Sequence, residues 1–177
     1  MTTLVLPDRV VVVGLGGNLG GDAAIVARFV RAREALAAWG SVRGSRVYRS
    51  APIGGPPDQG DYLNAALAVA LDPPLPLPAE LIAGVLEIER LLGRDRLREV
   101  RDGPRPIDLD VLLWGERHAR WEGLEVPHPR LAARRFALAP AIDLVGEDVM
   151  VPGSSRTLGE LWRALPDQRV EPTDLAI

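Results

Sequence analysis

The run from Ile107 to Trp114 constrains the fold more than any other stretch of this chain. Ile107, Leu109, Val111 and Leu113 recur every second residue and Gly115 closes the run, which is the period of a strand with one apolar face. Asp108 and Asp110 then share the other face, with Cα atoms roughly 6.5 to 7 Å apart along the chain. Two like charges side by side among apolar neighbours are costly unless a cation lies between them. A hard cation such as Mg²⁺ prefers carboxylate oxygens, keeps several waters and takes its remaining ligands from phosphates. Two such ions about 3.5 to 4 Å apart can clamp both sides of an in-line phosphoryl displacement. A bare Asp-x-Asp also suits the solvated face of an edge strand, so its surroundings decide.

Just upstream, Arg94, Arg96, Arg98, Arg101 and Arg105 crowd a segment rich in charge and turn formers, with neither helical nor strand period. The guanidinium binds phosphate bidentately and stays charged at any working pH. The chain has no lysine, so all 21 basic residues are arginines and every side-chain cation for a phosphate is an arginine or a protonated histidine. No cysteine is present, which excludes disulfides, a thiolate nucleophile and cysteine-ligated zinc. His118 and His128 are too few for most imidazole-based metal clusters. A net charge of −3 argues against a general nucleic-acid binder. With 177 residues, one domain is expected, with a core over about 10–165 and a peripheral tail over 166–177. No apolar run approaches the roughly 20 residues that span a bilayer, and Val10–Val13 reads as a strand and not a signal peptide, so a soluble cytoplasmic protein is expected.

In chain order, Val10–Val13 is an apolar strand, and the glycine-rich string from Gly14 to Gly21 reads as a loop into a helix that Asp22 caps. Neither phosphate-binding glycine fingerprint fits that string. Ile25, Phe29, Ala32, Leu36 and Trp39 form the helix's apolar stripe, and Gly40 stops it. Val42–Tyr48 is a second strand. The irregular segment from Arg49 to Asp61 is long enough to be functional. Beyond it Leu63, Ala65, Leu67, Val69 and Leu71 share one strand face and Tyr62 and Asn64 the other. By period alone that pair suits plain surface, or a flat heterocycle stacked on the ring and read by the amide. Pro78 opens a helix with stripe Leu81, Val85, Ile88 and Leu92, stopped at Gly93. Leu124–Val126 is a short strand leading to the rigid corner Pro127-His128-Pro129. The apolar segment from Phe136 to Leu144 is interrupted by Pro140, and Thr157-Leu158-Gly159-Glu160 is a capping box for a last helix. Strands alternating with helices give an α/β or α+β sandwich.

Six segments in order make the chain resemble the 6-hydroxymethyl-7,8-dihydropterin pyrophosphokinase family of folate biosynthesis. They are Gly16–Gly20, Ser45–Gly54, Gln59–Ala66, Glu89 with Gly93-Arg94, Gly103–Asp110, and Val126–Pro129 with Arg134 and Phe136. The resemblance covers about Val10 to Leu165 and implies a ferredoxin-like α+β fold, a three-layer sandwich with a largely antiparallel sheet flanked by helices. It implies transfer of diphosphate from ATP to the pterin hydroxymethyl group, with AMP leaving. By the family pattern Asp108 and Asp110 hold two Mg²⁺ ions, and Arg94 and Arg105 neutralise the transferred diphosphate. His128 and Arg134 hold nucleotide phosphates and ribose, and Glu89 lies by the nucleotide. Tyr62 and Phe136 sandwich the pterin, Asn64 reads its amide edge, and Ser50 and Ile53 complete the pocket, which decides between the two readings of Tyr62 and Asn64. A monomer acting on these small molecules, without nucleic acid or membrane, is the family expectation.

The chain departs from the family pattern at Gly17, where Ser is usual, at Pro106, where Thr is usual, and at Asp102, where a loop tryptophan often stands. Both loops beside the site are about one residue longer than a common family form. Two other functions share part of the pattern. A different two-metal nucleotidyl transferase leaves the Tyr-Leu-Asn and Pro-His-Pro segments unexplained, and a non-catalytic pterin-binding module has no use for Asp108, Asp110 and Arg105.

Overall fold

The computed structural model describes residues 3–177. Six strands form one wholly antiparallel sheet: β1 (Val10–Gly17), β2 (Gly40–Gly44), β3 (Tyr48–Ser50), β4 (Tyr62–Leu71), β5 (Asp108–Trp114) and β8 (Val170–Pro172). Their order is β5-β1-β4-β3-β8, with β2 paired to the far half of the edge of β4 that β3 uses. A separate hairpin joins β6 (Ala119–Trp121) to β7 (Leu124–Val126).

Helices cover both faces. On one side α1 (Gly21–Leu36) and α2 (Pro78–Leu91) pack Ile25, Phe29, Leu81 and Val85 against Val11, Val13, Leu63, Ala65, Leu67 and Val69. On the other, α3 (Arg135–Val145) and α4 (Leu158–Ala164) pack Leu138, Ala141, Leu158 and Leu161 against Val12, Ala66, Ala68 and Leu112. The three-layer sandwich that the resemblance implied is what forms. The larger residues of the sheet face α1 and α2, and the alanines of β4 let α3 lie close. The Thr157–Glu160 capping box and the stripe of α2 are present as expected, but α1 ends at Leu36, and Trp39, expected in its stripe, lies in a 3-10 turn beyond it (Ala37–Trp39). Among the described residues no helix is long and apolar enough to cross a membrane.

Several boundaries differ from the sequence reading. Gly14–Gly17 is not loop but the end of β1, paired with β4 on one side and β5 on the other. Partners on both sides override the poor strand propensity of glycine. The turn into α1 is only residues 18–20; Gly20, at positive φ, is the N-cap, so Asp22 lies inside the helix without capping it. Val42–Tyr48 is two strands, β2 and β3, broken at 45–47. Pro140 does not interrupt its segment: α3 runs through it, because the buried face of Leu138, Ala141 and Leu144 outweighs one missing N–H. The tail is not peripheral. Val170–Pro172 pairs with β3 as an edge strand, Arg33 donates to the Ile177 carbonyl at 2.8 Å, and Leu175 and Ile177 pack on the core.

Candidate active site

Strand register assembles the site. Gly16 of β1 pairs with Asp108 of β5 and with Asn64 of β4, while Asn64 pairs with Tyr48 and Tyr62 with Ser50 of β3. Residues two apart share a face, so Asp108, Asp110, Tyr62, Asn64 and Ser50 all lie at one end of the α3 face of the sheet. Gly16 lies in the middle of that row. A Cβ on Gly16 would lie 3.7 Å from Asn64 Oδ1 and 3.9 Å from Asp108 Cβ, filling the floor between amide and carboxylate. Asn64 is buried and donates from Nδ2 to Ser50 Oγ at 2.9 Å. Tyr62 donates its hydroxyl to the Gly103 carbonyl at 2.8 Å.

The carboxylates are neighbours with opposite surroundings. Asp108 Oδ2 accepts from Arg105 Nη1 at 2.8 Å, and Oδ1 accepts from Arg94. Burial pushes its carboxyl up, but the two guanidiniums prevail and hold it below the usual range. Asp110 accepts no hydrogen bond among the described residues; His128 Nε2 stands 3.7 Å and Arg134 Nη1 3.9 Å from its Oδ2. Burial, and after it the charge of Asp108, push the Asp110 carboxyl up. Burial also lowers the His128 imidazole, whose Nδ1 accepts the Arg130 N–H at 3.1 Å. The corner holding His128 is tied to β5 by its N–H on the Leu112 carbonyl at 2.9 Å.

Beneath lies an ion network that the sequence did not reveal. Glu89 was expected beside the nucleotide. Instead it is buried at 1% exposure, and its oxygens accept from Arg94, from the Leu109 N–H at 2.7 Å, and from Arg96 at 2.7 and 3.0 Å. It therefore supports β5 and the two arginines with no oxygen left over, and burial raises its carboxyl. Arg94 is also held by Glu99, at 3.0 Å from both Nε and Nη2. Of the five crowded arginines, Arg94, Arg96 and Arg105 turn to this network, while Arg98 and Arg101 stand in solvent at 89% and 93% side-chain exposure. Alternation could not sort them, because the segment has no period.

Two cavities meet at β5. Ser50, Ile53, Tyr62, Asn64 and Phe136, all predicted from sequence, line the first, together with Arg105, Asp108 and Arg134. Asp102, which stands where a loop tryptophan often does in the family, also lines it, as does Arg130, which no sequence signal marked as a wall residue. This slot is about 70 Å³, far below the roughly 300 Å³ of a small-molecule site, so a heterocycle enters only if its walls move. The second cavity, about 770 Å³, is lined by Asp110, His128, Arg96, Ile82, Leu109 and Trp121. Asp108 faces one cavity and Asp110 the other, so a group bound on each side meets its counterpart at the carboxylates.

Adjacent carboxylates ringed by guanidiniums, between an apolar-walled slot and a larger cleft, are the equipment of a polyphosphate-transferring enzyme. Residues 12–146 match the profile of the 7,8-dihydro-6-hydroxymethylpterin-pyrophosphokinase (HPPK) family. The chain is 38% identical over 161 residues to the 2-amino-4-hydroxy-6-hydroxymethyldihydropteridine pyrophosphokinase of Pseudomonas aeruginosa, covering 91% of this chain and 94% of that one. It is 36% identical over 152 residues to the Synechocystis protein of the same name, covering 85% and 73%. This chain belongs to the HPPK family. Among solved structures, a Plasmodium falciparum HPPK-DHPS triple mutant with pteroate superposes with a TM-score of 0.62 at 13% identity, over 87% of this chain. That likeness is one of fold, and this chain spans only 42% of the bifunctional chain.

Proposed function

We propose that this chain transfers the β,γ-diphosphate of ATP to the hydroxymethyl oxygen of 6-hydroxymethyl-7,8-dihydropterin, with the pterin in the slot and ATP in the larger cleft. Diphosphate transfer in folate biosynthesis, with ATP as co-substrate, is the activity of the family. The observation that carries the assignment to the two cavities is the division of β5: Asp108 lines one, Asp110 the other.

In the slot, Tyr62 and Phe136 cover the two faces of the pterin and Asn64 meets its amide edge, oriented by Ser50. In the cleft His128 meets the nucleotide phosphates, and Arg134, on the slot wall 3.9 Å from Asp110 Oδ2, reaches them across that carboxylate. Ile82 and Leu109 offer the base an apolar wall, and Trp121 an aromatic one. Arg105, already on Asp108, turns to the transferred diphosphate, and Arg94 backs it from the Glu89 network.

The donor set suits Mg²⁺. Two carboxylates share one strand face, one of them has both oxygens free of protein donors, and no third acidic, histidine or cysteine ligand joins them among the described residues. Phosphates and water would then complete the coordination. Mg²⁺ bound by Asp108 and Asp110 would supply charge neutralisation on the β- and γ-phosphates. In the reaction the hydroxymethyl oxygen bonds to the β-phosphorus, the bond from that phosphorus to the α,β-bridging oxygen breaks, and AMP leaves with the bridging oxygen. The hydroxyl proton passes to solvent or to a phosphate oxygen, and no side chain is assigned to take it. The protein's part is positioning and electrostatic stabilisation. The enzyme is read as monomeric on family expectation.

The test incubates the protein with ATP, Mg²⁺ and 6-hydroxymethyl-7,8-dihydropterin and quantifies AMP, ADP and pyrophosphate with and without pterin. Pterin-dependent AMP without free pyrophosphate is expected. Free pyrophosphate would point to nucleotidyl transfer, and pterin binding without turnover to a binding module.

A further inference from the structure

Asn18 stands just past the end of β1, half-buried, where three separate segments of the site meet. Its N–H donates to the Arg105 carbonyl at 3.0 Å, and the next N–H, of Leu19, reaches the same oxygen at 3.3 Å. Its side-chain Oδ1 accepts the Arg105 N–H at 2.9 Å, while Nδ2 donates to the Gly60 carbonyl at 3.2 Å. Both backbone polar groups of Arg105 are thus satisfied by two consecutive residues, which holds the root of that side chain in place. From there the guanidinium reaches Asp108 Oδ2 at 2.8 Å and the Gly103 carbonyl at 3.2 Å. Arg28 braces the arrangement from outside, donating to the Leu19 carbonyl at 2.7 Å. Gly60 lies two residues before Tyr62, whose hydroxyl is bound to the same Gly103 carbonyl.

We infer that Asn18 is a positioning residue whose two amide atoms do separate work: Oδ1 sets Arg105 against the transferred diphosphate, and Nδ2 sets the turn from Gly60 to Tyr62 against the pterin. The inference rests on the diphosphate-transfer reading above. The chemistry selects the residue. Arg105 presents an N–H and Gly60 a carbonyl, and a short side chain meets both only if it carries an acceptor and a donor on one carbon. Aspartate keeps the acceptor and loses the donor, serine is too short to span both, and leucine has neither.

Asn18→Asp and Asn18→Ala separate the two tasks. For each, kcat and KM for pterin and for ATP are measured, with pterin affinity in the presence of α,β-methylene-ATP, which cannot be cleaved, and the urea unfolding midpoint. Asn18→Asp still accepts from Arg105 but turns a carboxylate on the Gly60 carbonyl. It should weaken pterin KM and affinity about tenfold, the weight of one or two lost hydrogen bonds, with kcat within about twofold of wild type. Asn18→Ala should lose about tenfold in kcat as well, with ATP KM near wild type in both. Equal effects of the two variants on kcat and on pterin KM would reduce Asn18 to general support and overturn the inference, as would wild-type values in both. If Asn18→Ala does not fold, the pterin affinity of Asn18→Asp against its kcat decides alone. A wild-type protein that makes no pterin-dependent AMP overturns the underlying reading, whereas an active wild type with unaffected Asn18 variants overturns only the role of Asn18.

Discussion

The carbonyl oxygen of Pro106 lies so close over Gly17 that a Cβ on Gly17 would sit 2.7 Å from it. Two departures from the family pattern, Gly where Ser is usual and Pro where Thr is usual, therefore touch each other in space. Gly17→Ser should destabilise the protein by about 1 to 3 kcal/mol through overpacking, read as a lower urea midpoint. Because the obstacle is backbone, adding Pro106→Thr should not restore stability. Full rescue by that second change would show that the proline ring, and not its carbonyl, sets the spacing.

Asp110 shares its strand face with Asp108 and accepts no hydrogen bond from the described residues. Asp110→Asn removes a like charge and should leave unfolding stability equal to wild type or slightly higher. Turnover in the AMP assay should fall by about 10² or more, the scale of losing a metal-borne electrostatic contribution. Chelation of Mg²⁺ should likewise abolish wild-type turnover. An Asp110→Asn protein of normal activity would remove the metal role from this strand.

Arg46 donates to Asp143 Oδ1 from Nε at 3.0 Å and from Nη2 at 2.8 Å, and its backbone N–H reaches Oδ2 at 2.9 Å. Burial raises the Asp143 carboxyl, but the hydrogen bonds from Arg46 outweigh it, so the folded value lies below the usual one. A depressed carboxylate contributes stability that is complete above the unfolded pKa of about 3.9 and is lost as pH falls through the lower folded value. Arg46 is well exposed, so solvent screening keeps the contribution modest. The stability gap between wild type and Asp143→Asn should be full at neutral pH and shrink in acid below that value. A gap that grew on acidification would contradict the assignment.

Gln59 Nε2 donates to the Gly54 carbonyl at 2.9 Å and to the Asp102 carbonyl at 3.2 Å, joining the two loops that flank the slot. Gln59→Leu cannot donate, and Asp102, at φ 52, loses one of its anchors. Pterin release in stopped flow should accelerate by about five- to tenfold, the weight of one or two hydrogen bonds. Amides of the 51–61 segment should exchange faster with solvent, and exchange identical to wild type would show that this pair does not hold the loops.

Truncation after Pro166 removes β8 and the packed side chains of Leu175 and Ile177. Loss of two partly buried side chains should cost about 2 to 4 kcal/mol. Because β8 pairs with β3, which carries Ser50, pterin KM should rise as well. A truncated chain of unchanged stability and KM would return the tail to the peripheral role its composition suggests.

Much of the fold was legible because periodicity reports burial. The stripes of α1 and α2 and the alternation of β4 and β5 each follow from apolar residues at one spacing. The tail was not legible: Val170–Pro172 is too short to show a period, and its partner β3 lies far back in the chain. Gly14–Gly17 misled for a related reason. Glycine favours loops locally, and only pairing on both edges made those residues strand.

In the site, local pattern placed Asp108 and Asp110 on one strand face and motif resemblance gathered the slot residues, both of which survive as geometry. Nothing local could show that Glu89 has no oxygen left for a nucleotide, that Arg98 and Arg101 turn away, or that Asn18 holds Arg105. Periodicity and residue chemistry are properties of a segment, so the sequence by itself determined the elements that carry a clear apolar period and which side chains carry charge. Which donor meets which acceptor depends on segments distant in sequence being brought together, and only packing of the sheet between its two helical layers decides that.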